Sequence, residues 1–397
     1  MLQEDFRRSK YRIRGFVILW FSMFVIAGGL GMVVPILPIF VRDLGASGIW
    51  LGLSFSGFAI IQTPLTPIIG RFGDRFGRKK FILAGLTIYI FIGIGLSMAS
   101  TYQAVTLLRM TMGLGASLMF PSALATIGIL APKEQEGRYM GLFMVSFTAG
   151  FGIGPLIGGV IKDALGPEAA FLSLSVAATL ALLSFITLMP REEFYESDDK
   201  NNMPSISNML RNQAVISLFI FNLSFGIGLG AVMTFIAIFM TDKLYATATL
   251  IGLIIGSRAI ISSVLQPLLG RLADRMPRHY LIFMGGILLS VCTSAIPLSD
   301  SVLMLFIIFL ILGIGESAAL PASLAITTDL GSKYGHGTLM GFANAVLVFG
   351  LLVGSVGGSL VESTLGIENV FRITGIVTLA MTVIFLITWR KPENLAI

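Results

Sequence analysis

The sequence predicts an all-α polytopic membrane protein, with twelve transmembrane helices in two homologous six-helix halves. Three observations predict it. Apolar residues make up 55% of the chain and charged residues 12%, with a mean hydropathy of +0.90, where soluble domains carry roughly 25% charge. Twelve apolar stretches recur along the chain, each suited to a hydrocarbon core of ~30 Å, which takes ~20 helical residues. The chain also repeats itself 200 residues on: GRFGDRFGR at 70–78 returns as GRLADRMPR at 270–278, and 14 of 34 positions are identical between 52–85 and 252–285.

Taken in order, residues 1–14 carry RRSKYRIR at 7–14 and are too basic to enter the membrane. The first apolar stretch, 15–40, contains LGMVVPILP. It is too long for a signal-peptide core and lacks a small-residue cleavage site, so it is expected to be retained. Stretches 49–69 and 81–99 flank GRFGDRFGRKK, 104–131 carries Arg109, 139–161 carries GFGIGPLIGG, and 169–189 closes a first half spanning 15–190. Residues 191–212 form the one long polar interruption and read as a linker. The second half, 213–389, contains stretches at 213–241, 249–269, 280–298, 302–328, 338–361 and 369–389, before a tail at 390–397. Gly113/Gly313, Pro121/Pro321, Gly141/Gly341, Gly154/Gly354 and Phe171/Phe371 keep the offset. A shared apolar bias would align Leu and Ile, not Gly, Pro, Asp and Arg. Strand-like alternation is absent, which excludes a β-barrel.

The basic residues predict orientation. Of 27 Lys and Arg, 21 fall in the termini and in the loops on their side of the membrane, so both termini are expected in the cytoplasm and the protein in the cytoplasmic (inner) membrane. The pI near 9.5 follows from this asymmetry, and nucleic acid is not an expected partner. Cys292 is the single cysteine and lies within the ninth stretch, while His279 and His336 fall in loops. No metal site or cofactor is expected, and nothing in the chain calls for more than a monomer in the lipid bilayer.

Two motifs stand out. In GRFGDRFGRKK, Gly70, Gly73 and Gly77 permit a tight turn. Asp74 stands among Arg75, Arg78 and other cations, where a carboxylate can meet the positive N-terminal end of a helix. Asp274 and Arg275 repeat this element, with Pro277 replacing the last glycine. In GFGIGPLIGG, Gly150, Gly154 and Gly158 share one helix face and allow close backbone approach. Pro155 bends that helix, and Gly159 completes the motif. The second half keeps Gly350, Gly354 and Gly358 but has Ser355 for the proline.

The loop motif resembles the signature of the major facilitator superfamily, and G-x-x-x-G-P-x-x-G-G is similar to the helix-five signature of its antiporter branches. LGMVVPILP, with Pro35 and Pro38, and LLRMTMGLGA at 107–116, centred on Arg109, resemble motifs of the twelve-helix drug:proton antiporters. The resemblance implies two six-helix halves that rock about a midplane site. It also implies a latch in which Asp74 faces the start of helix eleven and Asp274 the start of helix five.

Charges deep in apolar helices are expensive and mark functional candidates. Three occur: Arg109, Arg258 and Glu316, whose repeat counterparts are Phe309, Phe58 and Ala116. The scaffold is duplicated while the charges are not, as a substrate or proton site would require. Glu316 is the candidate for proton coupling, because a carboxyl group in low dielectric can exchange protons near neutrality. Arg109 could instead pin helices by bonding backbone carbonyls, and Arg258 with Glu316 could form a structural pair. Asn222, Asn344 and Gln62 are further cavity candidates, each of which could equally satisfy free backbone groups.

The expected function is a proton-coupled antiporter that exports amphipathic small molecules. The first stretch has no acidic residue, which leaves Glu316 to act alone and leaves open an organic-anion or acidic-lipid carrier using the arginines. A membrane sensor or intramembrane enzyme is remote: no H-E-x-x-H, paired-aspartate or intramembrane Ser/His site occurs, and no phosphate-binding loop G-x-x-x-x-G-K-[ST] points to ATP use.

Overall fold

The structure, a computed structural model, describes residues 2–131, 136–189, 209, 211–273, 276–334 and 336–389. The linker other than 209, 211 and 212, the C-terminal tail, and Asp274 with Arg275 lie outside the described residues. So do the side chains of 2–11 and 70–76, which include Asp74 and Arg75.

Fourteen α-helices build the described residues, and no strand occurs among them. In the first half they are α1 (Leu2–Val33), α2 (Leu37–Asp43), α3 (Ile49–Ser56), α4 (Phe58–Phe76), α5 (Arg78–Ser97), α6 (Tyr102–Leu130), α7 (Glu136–Leu165) and α8 (Pro167–Leu188). In the second they are α9 (Gln213–Leu244), α10 (Ala248–Ala273), α11 (Arg278–Ala295), α12 (Val302–Tyr334), α13 (His336–Leu365) and α14 (Ile367–Thr388). Eleven segments are long and apolar enough to cross a membrane, and the bent pair α3–α4 makes a twelfth.

Local sequence explains the breaks. Pro35 has no N–H to give and stands between α1 and α2, with Pro38 in the first turn of α2. The basic N-terminus continues α1 as helix rather than forming a separate tail. Asn212 caps α9, its Oδ1 accepting from the amides of Ala214 and Val215. The loop motif is narrower than its glycines predict: α4 runs through Gly70 and Gly73 to Phe76, and the turn is taken at Gly77 alone, at φ +94°. That conformation is open to glycine without strain. Its counterpart Pro277 sits at φ −60°, so the second half turns by different geometry.

Candidate functional site

Arg258 on α10 and Glu316 on α12 meet near the middle of the second half. Close packing of those helices brings them together: a side chain at Gly313 would collide with Ile261 and the Arg258 carbonyl. Arg258 Nη1 stands 3.6 Å from Glu316 Oε2, with side-chain exposures of 9% and 12%. The pair is incompletely hydrogen-bonded, since Arg258 Nε and Glu316 Oε2 are buried without a hydrogen-bond partner. A buried ion pair whose lone pairs and protons are left over recovers little of its desolvation cost.

Arg109 does different work. Its Nε donates to the Phe55 carbonyl at 3.1 Å, Nη2 donates to the same oxygen, and Nη1 reaches Met112 Sδ at 2.8 Å. Phe55 lies in the last turn of α3, just before the 45° bend at Gly57, where helix carbonyls lack regular partners. The guanidinium also lies over the rings of Phe55 and Phe58, 5.6 and 4.9 Å from their centroids. This is the backbone-pinning alternative, and it turns Arg109 into its own half rather than toward Glu316.

The two arginines are related by the repeat. Arg109 packs on Phe58, while at the equivalent positions the second half has Phe309 and Arg258. The arginine has moved from one partner helix to the other. The helix backbone follows: α10 runs unbroken from Ala248 to Ala273, past Ser257, where its counterpart bends at Gly57.

The glycines of α7 serve two interfaces. Side chains at Gly150, Gly154 and Gly158 would strike the carbonyls of Phe24, Gly28 and Met32 on α1, within the first half. Gly159 faces elsewhere, against Ala248 of α10, and Gly152 meets Ile260 and Gly256 of that helix. The α7–α10 contact therefore joins the halves. Gly252 of α10 packs on the Pro155 carbonyl there, and the pseudo-symmetric contact joins α13 to α3, where Gly52 packs on the Ser355 carbonyl and Ser355 donates to the Gly52 carbonyl at 3.0 Å. Ser355 also bonds Thr234 at 2.7 Å, so the residue replacing proline ties three helices together.

On the face opposite the termini, two polar contacts close the seam. Asp163 at the end of α7 accepts from the amides of Ala248 and Thr249, at 3.2 and 2.8 Å, and from the Thr249 hydroxyl at 2.7 Å. A carboxylate there caps α10 from the other half and meets the positive end of its dipole. Arg42 and Asp242 form an ion pair at 2.6 Å across the halves. Sequence reasoning missed both. The available signal was that positions 42 and 242 are repeat equivalents with opposite charge.

The remaining candidates divide. Asn222 is buried and donates to the Leu218 carbonyl one turn back, a backbone-satisfying role. Gln62 and Asn344 are half-buried. Arg78 donates to the Ala125 carbonyl at 3.0 Å, and Arg278 pairs with Asp329, so both repeated arginines brace neighbouring helices of their own halves. An apolar wall comes from α6 and α7: Phe120 packs edge-on to Phe147 at 5.7 Å, and Phe147 stacks with Phe151 at 6.1 Å. At 100° per residue, Phe151 lies on α7 between its α1-facing and α10-facing glycines, and Phe147 lies on the α1-facing side.

The model of the Major Facilitator Superfamily matches this chain twice, over residues 19–235 and 218–396. An uncharacterised MFS-type transporter of Methanocaldococcus jannaschii is 26% identical over 374 residues, covering 92% of this chain and 96% of that protein. The multi-drug resistance efflux pump PmrA of Streptococcus pneumoniae is 28% identical over 374 residues, with 90% and 92% covered. The fold is similar to a crystal structure of a bacterial homologue of the human lysosomal transporter Spinster, in an inward-facing and occupied conformation. The TM-score is 0.81 at 15% identity, covering 95% of this chain and 97% of that one.

Proposed function

The chain belongs to the major facilitator superfamily, and from that premise we propose that it is a proton-coupled antiporter exporting amphipathic small molecules across a cytoplasmic membrane. The observation that carries the proposal is the Arg258–Glu316 pair, buried in mid-helix and incompletely hydrogen-bonded. Similarity over nearly the whole chain to a multidrug efflux pump supports the substrate class, and the Phe120–Phe147–Phe151 wall supplies a greasy surface for such molecules.

The charge asymmetry of the loops supports cytoplasmic termini. With that orientation, the seam sealed by Asp163 and by Arg42–Asp242 faces outward. Glu316 then takes or loses a proton as the halves rock, because rocking changes its access to water and its distance from Arg258. The organic-anion reading needed two free arginines. Arg109 is engaged by Phe55 and Met112, which leaves that reading one arginine, already facing a carboxylate.

The test is uptake into proteoliposomes under an imposed pH difference, run over cationic, neutral and anionic amphiphiles. Glu316→Gln mimics the protonated carboxyl and abolishes concentrative transport, while substrate binding becomes insensitive to pH; Glu316→Asp keeps part of the coupling. Concentration of substrate by Glu316→Gln in response to a pH difference would make the residue structural and favour the organic-anion or acidic-lipid carrier instead.

A further inference from the structure

Within the second half, between α9, α10, α11, α12 and α14, lies a cavity whose water-accessible space is about 30 Å³. Its polar lining is Ser224, Ser290, Thr293, Thr378, Thr382 and Arg258. About 10–15 Å³ of such space admits one water, so the cavity has room for about two and none for a drug-sized solute.

The hydrogen bonds on its walls define what it holds. Ser224 donates to the Thr378 carbonyl, Ser290 to Gly286, Thr293 to Leu289, Thr378 to Thr374 and Thr382 to Thr378, at 2.7–3.2 Å. A Ser or Thr hydroxyl owns one hydrogen, so these groups offer the cavity lone pairs. Arg258 offers the reverse: its Nε is buried without a partner, and a guanidinium can only donate. An anion would suit the arginine and not the hydroxyls, and a cation the hydroxyls and not the arginine. Water suits both.

We propose that this cavity is a resident water chamber and the second seat of the Arg258 guanidinium. When Glu316 is neutral, the arginine is satisfied by donating to chamber water, and when Glu316 is charged it pairs with the carboxylate 3.6 Å away. The chamber lets the pair separate without stranding a buried cation, which otherwise makes breaking such pairs costly. The second-seat role rests on reading Glu316 as the proton site; the presence of water does not.

Radiolytic hydroxyl labelling of the full-length protein in nanodiscs tests it, because water held in the interior generates radicals beside the residues that line it. Phe225 and Leu289, which line the chamber, are expected to be labelled several-fold more than Phe309 and Leu305, which are fully buried elsewhere. The combined variant Ser290→Ala, Thr293→Val, Thr382→Val changes little volume. It is expected to bring that labelling down to the comparison level. It should also slow proton-driven uptake by about tenfold, the scale of one hydrogen bond to a charged group, with exchange in the absence of a pH difference unchanged. Wild-type labelling of Phe225 and Leu289 no greater than that of Phe309 overturns the chamber, whatever the variant does. Strong labelling together with a Glu316→Gln variant that still concentrates substrate overturns the coupling role and leaves the water site.

Discussion

Arg42 and Asp242 occupy the same position in the two halves, and they face each other as an ion pair at 2.6 Å. Residues near a pseudo-twofold axis meet their own counterparts, so identical charges there would repel. Opposite charges turn the symmetry into attraction. With side-chain exposures of 30% and 52%, the pair is worth about 0–1 kcal/mol, weak enough to break in every transport cycle.

That relationship predicts a charge-reversal rescue. Arg42→Asp opposes Asp242 and shifts the population toward the state open on that face, lengthening the distance between spin labels placed at the ends of α2 and α9. Adding Asp242→Arg restores the wild-type distance distribution. A double variant as open as the single one would mean that the pair does not hold the seam.

Asp163 reaches further in energy, because it caps a helix of the other half with three hydrogen bonds. Loss of a helix cap costs about 1 kcal/mol. Asp163→Ala therefore weakens closure of the same face, read as faster modification of a cysteine introduced at Leu250, and Asp163→Asn lies between alanine and wild type. Equal reactivity of all three would remove Asp163 from the seal.

The two glycine faces of α7 separate folding from movement. Gly154→Leu overpacks the α1–α7 seam inside one half, a change that costs ~1–3 kcal/mol, and lowers both the melting temperature and transport. Gly159→Ala strikes Ala248 of the other half, so it impairs closure and turnover with the melting temperature nearly unchanged. The same melting loss in both variants would contradict the division.

Arg109 is expected to behave as a structural residue, since its guanidinium is held by the Phe55 carbonyl and Met112. Removing it leaves the Phe55 carbonyl short of partners, at a cost of about 1–3 kcal/mol for a buried acceptor. Arg109→Gln lowers thermal stability, while substrate affinity of the folded fraction stays near wild type. Arg109→Lys recovers little, because one ammonium does not reproduce the guanidinium's fork. A large loss of affinity at unchanged stability would instead place Arg109 in the substrate path.

The twelve spans, the duplication and the three buried charges were legible in the chain, because each follows from local rules. Apolar length sets a span, an identical offset of Gly, Pro, Asp and Arg reveals a repeat, and a charge in an apolar stretch stands out wherever it points. The family motifs were legible for the same reason, as contiguous residues. Gly70 and Gly73 misled because a glycine permits a turn without compelling one, and α4 stays helical to Phe76.

Pairings were decided by the tertiary structure alone. The sequence could not say whether Arg258 or Arg109 approaches Glu316, since both lie deep in apolar helices; the bend at Gly57 settles it by presenting the Phe55 carbonyl to Arg109. Nor could it assign Gly154 to one half and Gly159 to the other, because a helix face has meaning only once its neighbours are in place. The seam of Arg42, Asp242 and Asp163 belongs to the same class. Surface charges at helix ends are common in any membrane protein, and only the packing of one half against the other makes partners of residues 200 positions apart.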